Sequence, residues 1–161
     1  MTAAAPLMLH HETVQPGWVD YNNHLNDGYY AVIFSNATTT LMDHIALGAA
    51  EREATGHTLF TLEMHINYLK EVMGGADCRI ATQVLGHDHK RLHVFHTLFE
   101  AGSTDAAATN EQMLVNYDMK ARRTAPFLPE VLSKIEAIAR MQAGLPRPAN
   151  AGRSIGLPKK A

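Results

Sequence analysis

The chain is short of cysteine, of long apolar runs and of excess charge of either sign, and each shortage narrows what it can be. A single cysteine, Cys78, excludes an internal disulfide framework and any cysteine-rich zinc site. Fourteen Lys+Arg against sixteen Asp+Glu leave a formal net charge of −2. Nucleic-acid binders need clustered basic side chains, so no nucleic-acid partner is expected. No apolar stretch approaches the roughly 18 residues of a membrane helix, so no membrane partner is expected either. Met1 to Pro6 lack the basic start and apolar run of a secretory signal, which points to a cytoplasmic protein.

What is present is enough for one core. With 161 residues, 46% hydrophobic and 19% charged, the chain suits a single domain. Composition shifts once. Residues 1–143 read as the folded domain, and residues 144–161, GLPRPANAGRSIGLPKKA, read as a flexible Pro/Gly-rich basic tail carrying Arg147, Arg153, Lys159 and Lys160. Such a tail is either a solvated end or an arm that touches phosphate.

Periodicity gives the order of elements. Leu7 to Val14 suits a strand ending before Pro16-Gly17. Tyr30, Ile33, Phe34, Ala37, Leu41 and Ile45 form a helical stripe that begins at Asn26 or Asp27, both good N-caps, and stops near Gly48. The period then falls to two, with Phe60, Leu62, Met64, Ile66 and Tyr68 on one side and Leu59, Thr61, Glu63, His65 and Asn67 on the other. Further strands follow over Cys78–Val84, Leu92–Phe99 and Ala106–Met119, with Gly86–His89 and Ala101–Ser103 as turns. Leu128 to Met141 is helical again, with Val131, Ile135, Ile138 and Gln142 on one side. Short connections make the sheet antiparallel, with the long helix laid across one face: an α+β fold.

The chemistry concentrates in Trp18-Val19-Asp20-Tyr21-Asn22-Asn23-His24-Leu25-Asn26-Asp27-Gly28-Tyr29-Tyr30. A carboxylate, several amides and an imidazole precede a helix whose first N–H groups lack partners and carry the positive end of the dipole. Donors there can stabilise an oxyanion, and Asp20 can serve as nucleophile or as base for a water. Runs of this composition also serve simply as turns and caps.

Asp20-x-Asn22-x-His24-x-Asn26-x-x-x-Tyr30 resembles the Asp-x-Asn-x-His-x-Asn element of hotdog-fold thioesterases of the 4-hydroxybenzoyl-CoA thioesterase-like superfamily. Tyr68-Leu69-x-x-x-x-Gly74 is similar to their strand exit and glycine turn. The likeness covers roughly Leu9 to Arg123 and implies a long central helix wrapped by an antiparallel sheet of about five strands. Trp18–Asn22, Gln83–His96 and Ala108–Leu114 are further similar to the betainyl-CoA thioesterases associated with carnitine dehydrogenase. One departure is Asn23, where many relatives carry glycine.

The resemblance implies hydrolysis of an acyl-CoA thioester, betainyl-CoA being the favoured substrate. Asp20 would act as base or nucleophile, Asn22 would orient it or the water, and His24 would bond the carbonyl or hold the loop. Backbone amides of Asn26, Asp27 and Gly28 would hold the thioester oxygen. A trimethylammonium group is held by aromatic faces and helped by a carboxylate. That makes Trp18, Tyr21, Tyr30, Tyr68, Glu63 and Glu111 the substrate-binding candidates, although aromatics at these spacings also serve as core. Lys90, Arg91, Arg122 and Arg123 are candidates for CoA phosphate, or are an ordinary solvated rim. No cofactor is implied, since coenzyme A belongs to the substrate. No metal site is expected among the ten histidines, because His93 and His96 should point to opposite faces of a strand. Open sheet edges and the resemblance together imply a homodimer or a dimer of dimers, with a functional link to carnitine dehydrogenase. The competing functions are a hydratase on the same fold and a non-catalytic acyl-CoA-binding protein.

Overall fold

The computed structural model describes residues 4–157; Lys159 and Lys160 of the expected basic tail lie outside them. Strands β1 (Leu7–Thr13), β2 (His57–Tyr68), β3 (Asp77–His87), β4 (Arg91–Glu100), β5 (Ala108–Asp118) and β6 (Arg123–Thr124) form one sheet. Every pairing is antiparallel, in the order β1-β3-β4-β5-β2, with β6 added to β5. Helix α1 (Asp27–His44) lies across one face, α2 (Ala49–Thr55) leads into β2, and α3 (Pro129–Met141) closes the far end of the same face. The α+β fold is as expected.

Helix α1 starts where its cap chemistry allows. The Asn26 side chain accepts from the Gly28 N–H at 3.1 Å, satisfying one of the donors a helix start leaves open. Eighteen residues make α1 about 27 Å long. Its stripe Tyr30, Ile33, Phe34, Ala37 and Leu41 is buried against Val14, Cys78, Ile80, Leu98 and Ala108 at one end and against Leu92, Val94 and Leu114 at the other. The Cys78 thiol belongs to this core, where burial first and the neighbouring carboxylates second push its pKa up to about 12.

Four details differ from the sequence reading. The helix ends at His44 rather than near Gly48, and Gly48 instead precedes α2, a short helix that the apolar stripe does not reveal. Strand β2 pairs with β5, not β3, so residues 69–76 carry the chain back across the sheet. A bulge between Thr61 and Glu63 breaks the alternation. Leu59, Thr61, Met64, Ile66 and Tyr68 therefore face α1, while Phe60, Glu63, His65 and Asn67 face the other way. Strand β3 runs on through Gly86 and His87 on a second bulge, where a turn was expected.

The segment after α3 touches the sheet. Gln142, the residue that caps the end of α3, bonds the Val84 N–H at 2.8 Å and the Thr82 carbonyl at 3.0 Å, acting as a strand neighbour where β1 runs out. Further on, the Gly152 N–H donates to Glu111 Oε2 at 2.6 Å on the outer face. Among the described residues no helix is long and apolar enough to cross a membrane.

Candidate active site

Residues 19–25 form a narrow hairpin closed by a bridge between Val19 and Leu25. Asp20 organises it. Its N–H donates to the His24 carbonyl at 2.8 Å, and its Oδ1 accepts from the Asn22 and His24 N–H groups at 2.8 and 3.0 Å. One carboxylate oxygen thus holds the loop, and Oδ2 bonds to nothing among the described residues. The hairpin is pinned to the returning segment by Leu25 N–H to Val72 O at 2.7 Å and Gly74 N–H to Asn23 O at 3.0 Å.

Asn23 has φ 62°, a left-handed conformation that asparagine tolerates better than most residues. Glycine reaches this φ as well, so the expected departure from glycine at position 23 leaves the turn geometry around Asp20 accessible. Its side chain packs so closely that a Cβ on Gly74 would lie 2.5 Å from Asn23 Oδ1.

A cleft of about 480 Å³ opens beside the hairpin. Of the residues singled out in the sequence, Asp20, His24, Asn26, Asp27, Tyr30 and Tyr68 line it together. His24 Nε2 stands 3.5 Å from Glu71 Oε2. The Tyr68 hydroxyl donates to the Asp27 carbonyl at 3.1 Å, and the Tyr30 and Tyr68 rings meet edge to face at 5.0 Å. Burial, joined by the charge of neighbouring ionisable groups, pushes the Tyr30 phenol up to about 12, so it stays a neutral donor. Lys70 and Glu71 also line the cleft. The sequence gives no sign of them, because the crossing of the 69–76 segment is what brings them there.

The oxyanion assignment narrows. The Asn26 N–H donates to the Trp18 carbonyl at 2.9 Å, and the Gly28 N–H is taken by Asn26 Oδ1 and Asp27 Oδ1 at 3.1 and 2.9 Å. Of the three expected donors, only the Asp27 N–H lacks a protein acceptor among the described residues.

Other expected residues are not brought to the cleft within one chain. Trp18 stacks on Tyr29 at 5.7 Å, outside it. Tyr21 is 96% exposed, and Asn22 is exposed on the hairpin tip. Glu63 and Glu111 lie on the outer face, away from α1. There Glu111 bonds His93 Nε2 at 2.7 Å. Burial alone would raise its pKa, but the Gly152 N–H, His93 and Arg147 together hold it below the usual carboxylate value. Lys90 sits in the β3–β4 turn and Arg91 at the start of β4, with Arg122 before and Arg123 in β6, all at the opposite end of the sheet from Asp20. Arg91 is already paired with Asp88 at 2.6 Å. His93 and His96 do diverge, the first outward to Glu111 and the second inward beneath α1.

A family model described as the thioesterase-like superfamily matches residues 14–135, spanning the hairpin, α1 and every strand but β1. The chain belongs to that superfamily. As a member it is a thioester hydrolase with the hotdog fold. It is 52% identical, over 90% of its own length and 91% of the relative's, to a protein of Pseudomonas aeruginosa named betainyl-CoA thioesterase. It is 40% identical, over 93% of its length, to an Agrobacterium fabrum protein named L-carnitine dehydrogenase/betainyl-CoA thioesterase, of which it spans 30%. Among solved structures, it is similar to the Staphylococcus aureus protein SAV2348 in complex with CoA. That likeness has a TM-score of 0.88 and 32% identity, and covers 98% of this chain and 100% of the other.

Proposed function

We propose that this enzyme hydrolyses betainyl-CoA to betaine and CoA, with Asp20 as its essential carboxylate. The observation that carries this is the 52% identity, over 90% of the chain, to a relative of that name, coupled with a carboxylate whose Oδ2 has no partner among the described residues beside the start of α1. The thioester carbonyl would lie against the Asp27 N–H, where the helix dipole favours developing negative charge. Asp20 Oδ2 would then either remove a proton from the attacking water or attack the carbonyl itself. Both routes release a thiolate, which needs little acid assistance. His24, held by Glu71, closes the same wall. No cofactor takes part beyond the coenzyme A of the substrate.

The working unit we propose is a homodimer. Strand β2 is a 12-residue edge with Phe60, Leu62 and Met64 exposed, and such edges pair or aggregate. Antiparallel pairing of two copies of β2 brings the start of one against the end of the other. The turn carrying Arg122 and Arg123 of the second copy would then approach the cleft beside Tyr68, giving those cations a route to CoA phosphate that one chain lacks. The relatives that join this activity to a carnitine dehydrogenase in one chain support a functional link with such an enzyme; a cytoplasmic location is part of the same proposal.

A thiol-release assay with betainyl-, 4-hydroxybenzoyl- and fatty acyl-CoA tests the proposal. Preferred turnover of betainyl-CoA is expected. Preference for another ester would overturn the substrate, and silence across the panel would favour a non-catalytic binding protein.

A further inference from the structure

A polar seam runs along the inner face of the sheet beneath α1. Thr82 Oγ1 lies 2.9 Å from His96 Nδ1, His96 Nε2 lies 3.1 Å from Thr38 Oγ1, and Thr38 Oγ1 lies 2.9 Å from Gln112 Oε1. These contacts occupy one end of the Gln112 amide; its Nε2 is buried without a partner among the described residues. The next inner-face residue of β5, Asn110, is fully buried with neither Oδ1 nor Nδ2 partnered among the described residues. Two adjacent amides in this condition are unusual in a folded protein and call for an occupant.

Strand register places them behind the active site. Asn110 pairs with Ile66, and its neighbour Ala108 pairs with Tyr68. Tyr68 and Asn110 are therefore diagonal neighbours on the inner face, roughly 7–8 Å apart. Tyr68, with Tyr30 edge-on to it, walls the cleft that holds Asp20.

We infer that Asn110 forms the far end of the acyl site and that its carboxamide oxygen, with the faces of Tyr30 and Tyr68, receives the quaternary ammonium head of the acyl group. This rests on the betainyl-CoA proposal. A trimethylammonium group has no N–H to donate, so π faces and neutral oxygens suit it. The strand carboxylates Glu63 and Glu111 are on the other face and cannot supply it. The seam can provide a second oxygen. A neutral His96 protonated at Nδ1 donates to Thr82 and accepts from Thr38, and a Gln112 turned end for end donates to Thr38 and leaves its own oxygen free. Amide orientation of this kind is set by hydrogen bonding, and both senses satisfy the same contacts.

The test compares betainyl-CoA with 3,3-dimethylbutyryl-CoA, its uncharged isostere with carbon in place of nitrogen. The readout is the ratio of kcat/KM for the two esters, in the wild type, in Asn110→Leu, and in Asn110→Ser, which adds no volume and covers the case in which leucine does not fit. We expect a wild-type ratio well above one and a fall of tenfold or more in the variants, with the loss on the betainyl ester. A wild-type preference that survives the substitutions, or equal losses on both esters, overturns the role of Asn110 and marks it as a structural amide. A wild-type ratio near one overturns the betainyl proposal itself.

Discussion

Acid should unfold this protein through His96. The imidazole is completely buried, stacked near Phe34 at 6.1 Å and bonded to Thr38 and Thr82. Burial first, and the charge of His10 second, push its pKa down from 6.5 to about 3. In the unfolded chain the ring takes up a proton near pH 6.5; in the folded protein it does so only near pH 3. Between those values the unfolded state binds the extra proton, so stability falls as pH falls, by about 1.4 kcal/mol per pH unit. Above pH 6.5 the contribution is fully present, and over the whole window the loss is on the order of 5 kcal/mol, comparable to the net stability of many domains. The assay is denaturant unfolding at steps from pH 7.5 to 4.5, comparing wild type with His96→Gln, whose amide can still bond both threonines. Other groups titrate in both proteins and cancel in the difference. Below pH 6.5 the wild-type curve should fall more steeply by about 1.4 kcal/mol per unit. Parallel curves would refute the reasoning.

Three further outcomes follow from the geometry. Asn26→Ala removes the α1 cap and should cost about 1 kcal/mol in equilibrium unfolding; no change would mean the cap is dispensable. Gly74→Ala should lower the melting temperature, since its Cβ would meet Asn23 Oδ1 at 2.5 Å, and pairing it with Asn23→Gly should restore most of the loss, as read by thermal melts. Leu62→Lys on the exposed edge of β2 should convert a dimer to monomer in sedimentation equilibrium; an unchanged mass would place the subunit contact elsewhere.

The sequence carried some parts of this structure and not others, for identifiable reasons. The start of α1 was legible because Asn26 caps locally, and Asp20 and His24 because their loop is held by contacts a few residues apart. The far-edge placement of β2 was not, because β5 is its partner and pairing is a tertiary choice. The bulge at Leu62 moved Phe60 to the outer face, a one-residue event that alternation alone conceals. Lys90, Arg91, Arg122 and Arg123 stand out in the sequence as cations that could meet phosphate, yet a sheet has two ends and composition does not say which one holds the site. Lys70 and Glu71 reach the cleft only through the 69–76 crossing.

The central claim is that Asp20 does the chemistry, and one substitution isolates it. Asn at position 20 keeps an Oδ1 to accept from the Asn22 and His24 N–H groups, so the hairpin survives while the carboxylate is lost. In the thiol-release assay with betainyl-CoA, Asp20→Asn should lose roughly 10²–10⁴-fold in kcat, with melting temperature and KM nearly unchanged. A variant that turns over at the wild-type rate would contradict the account.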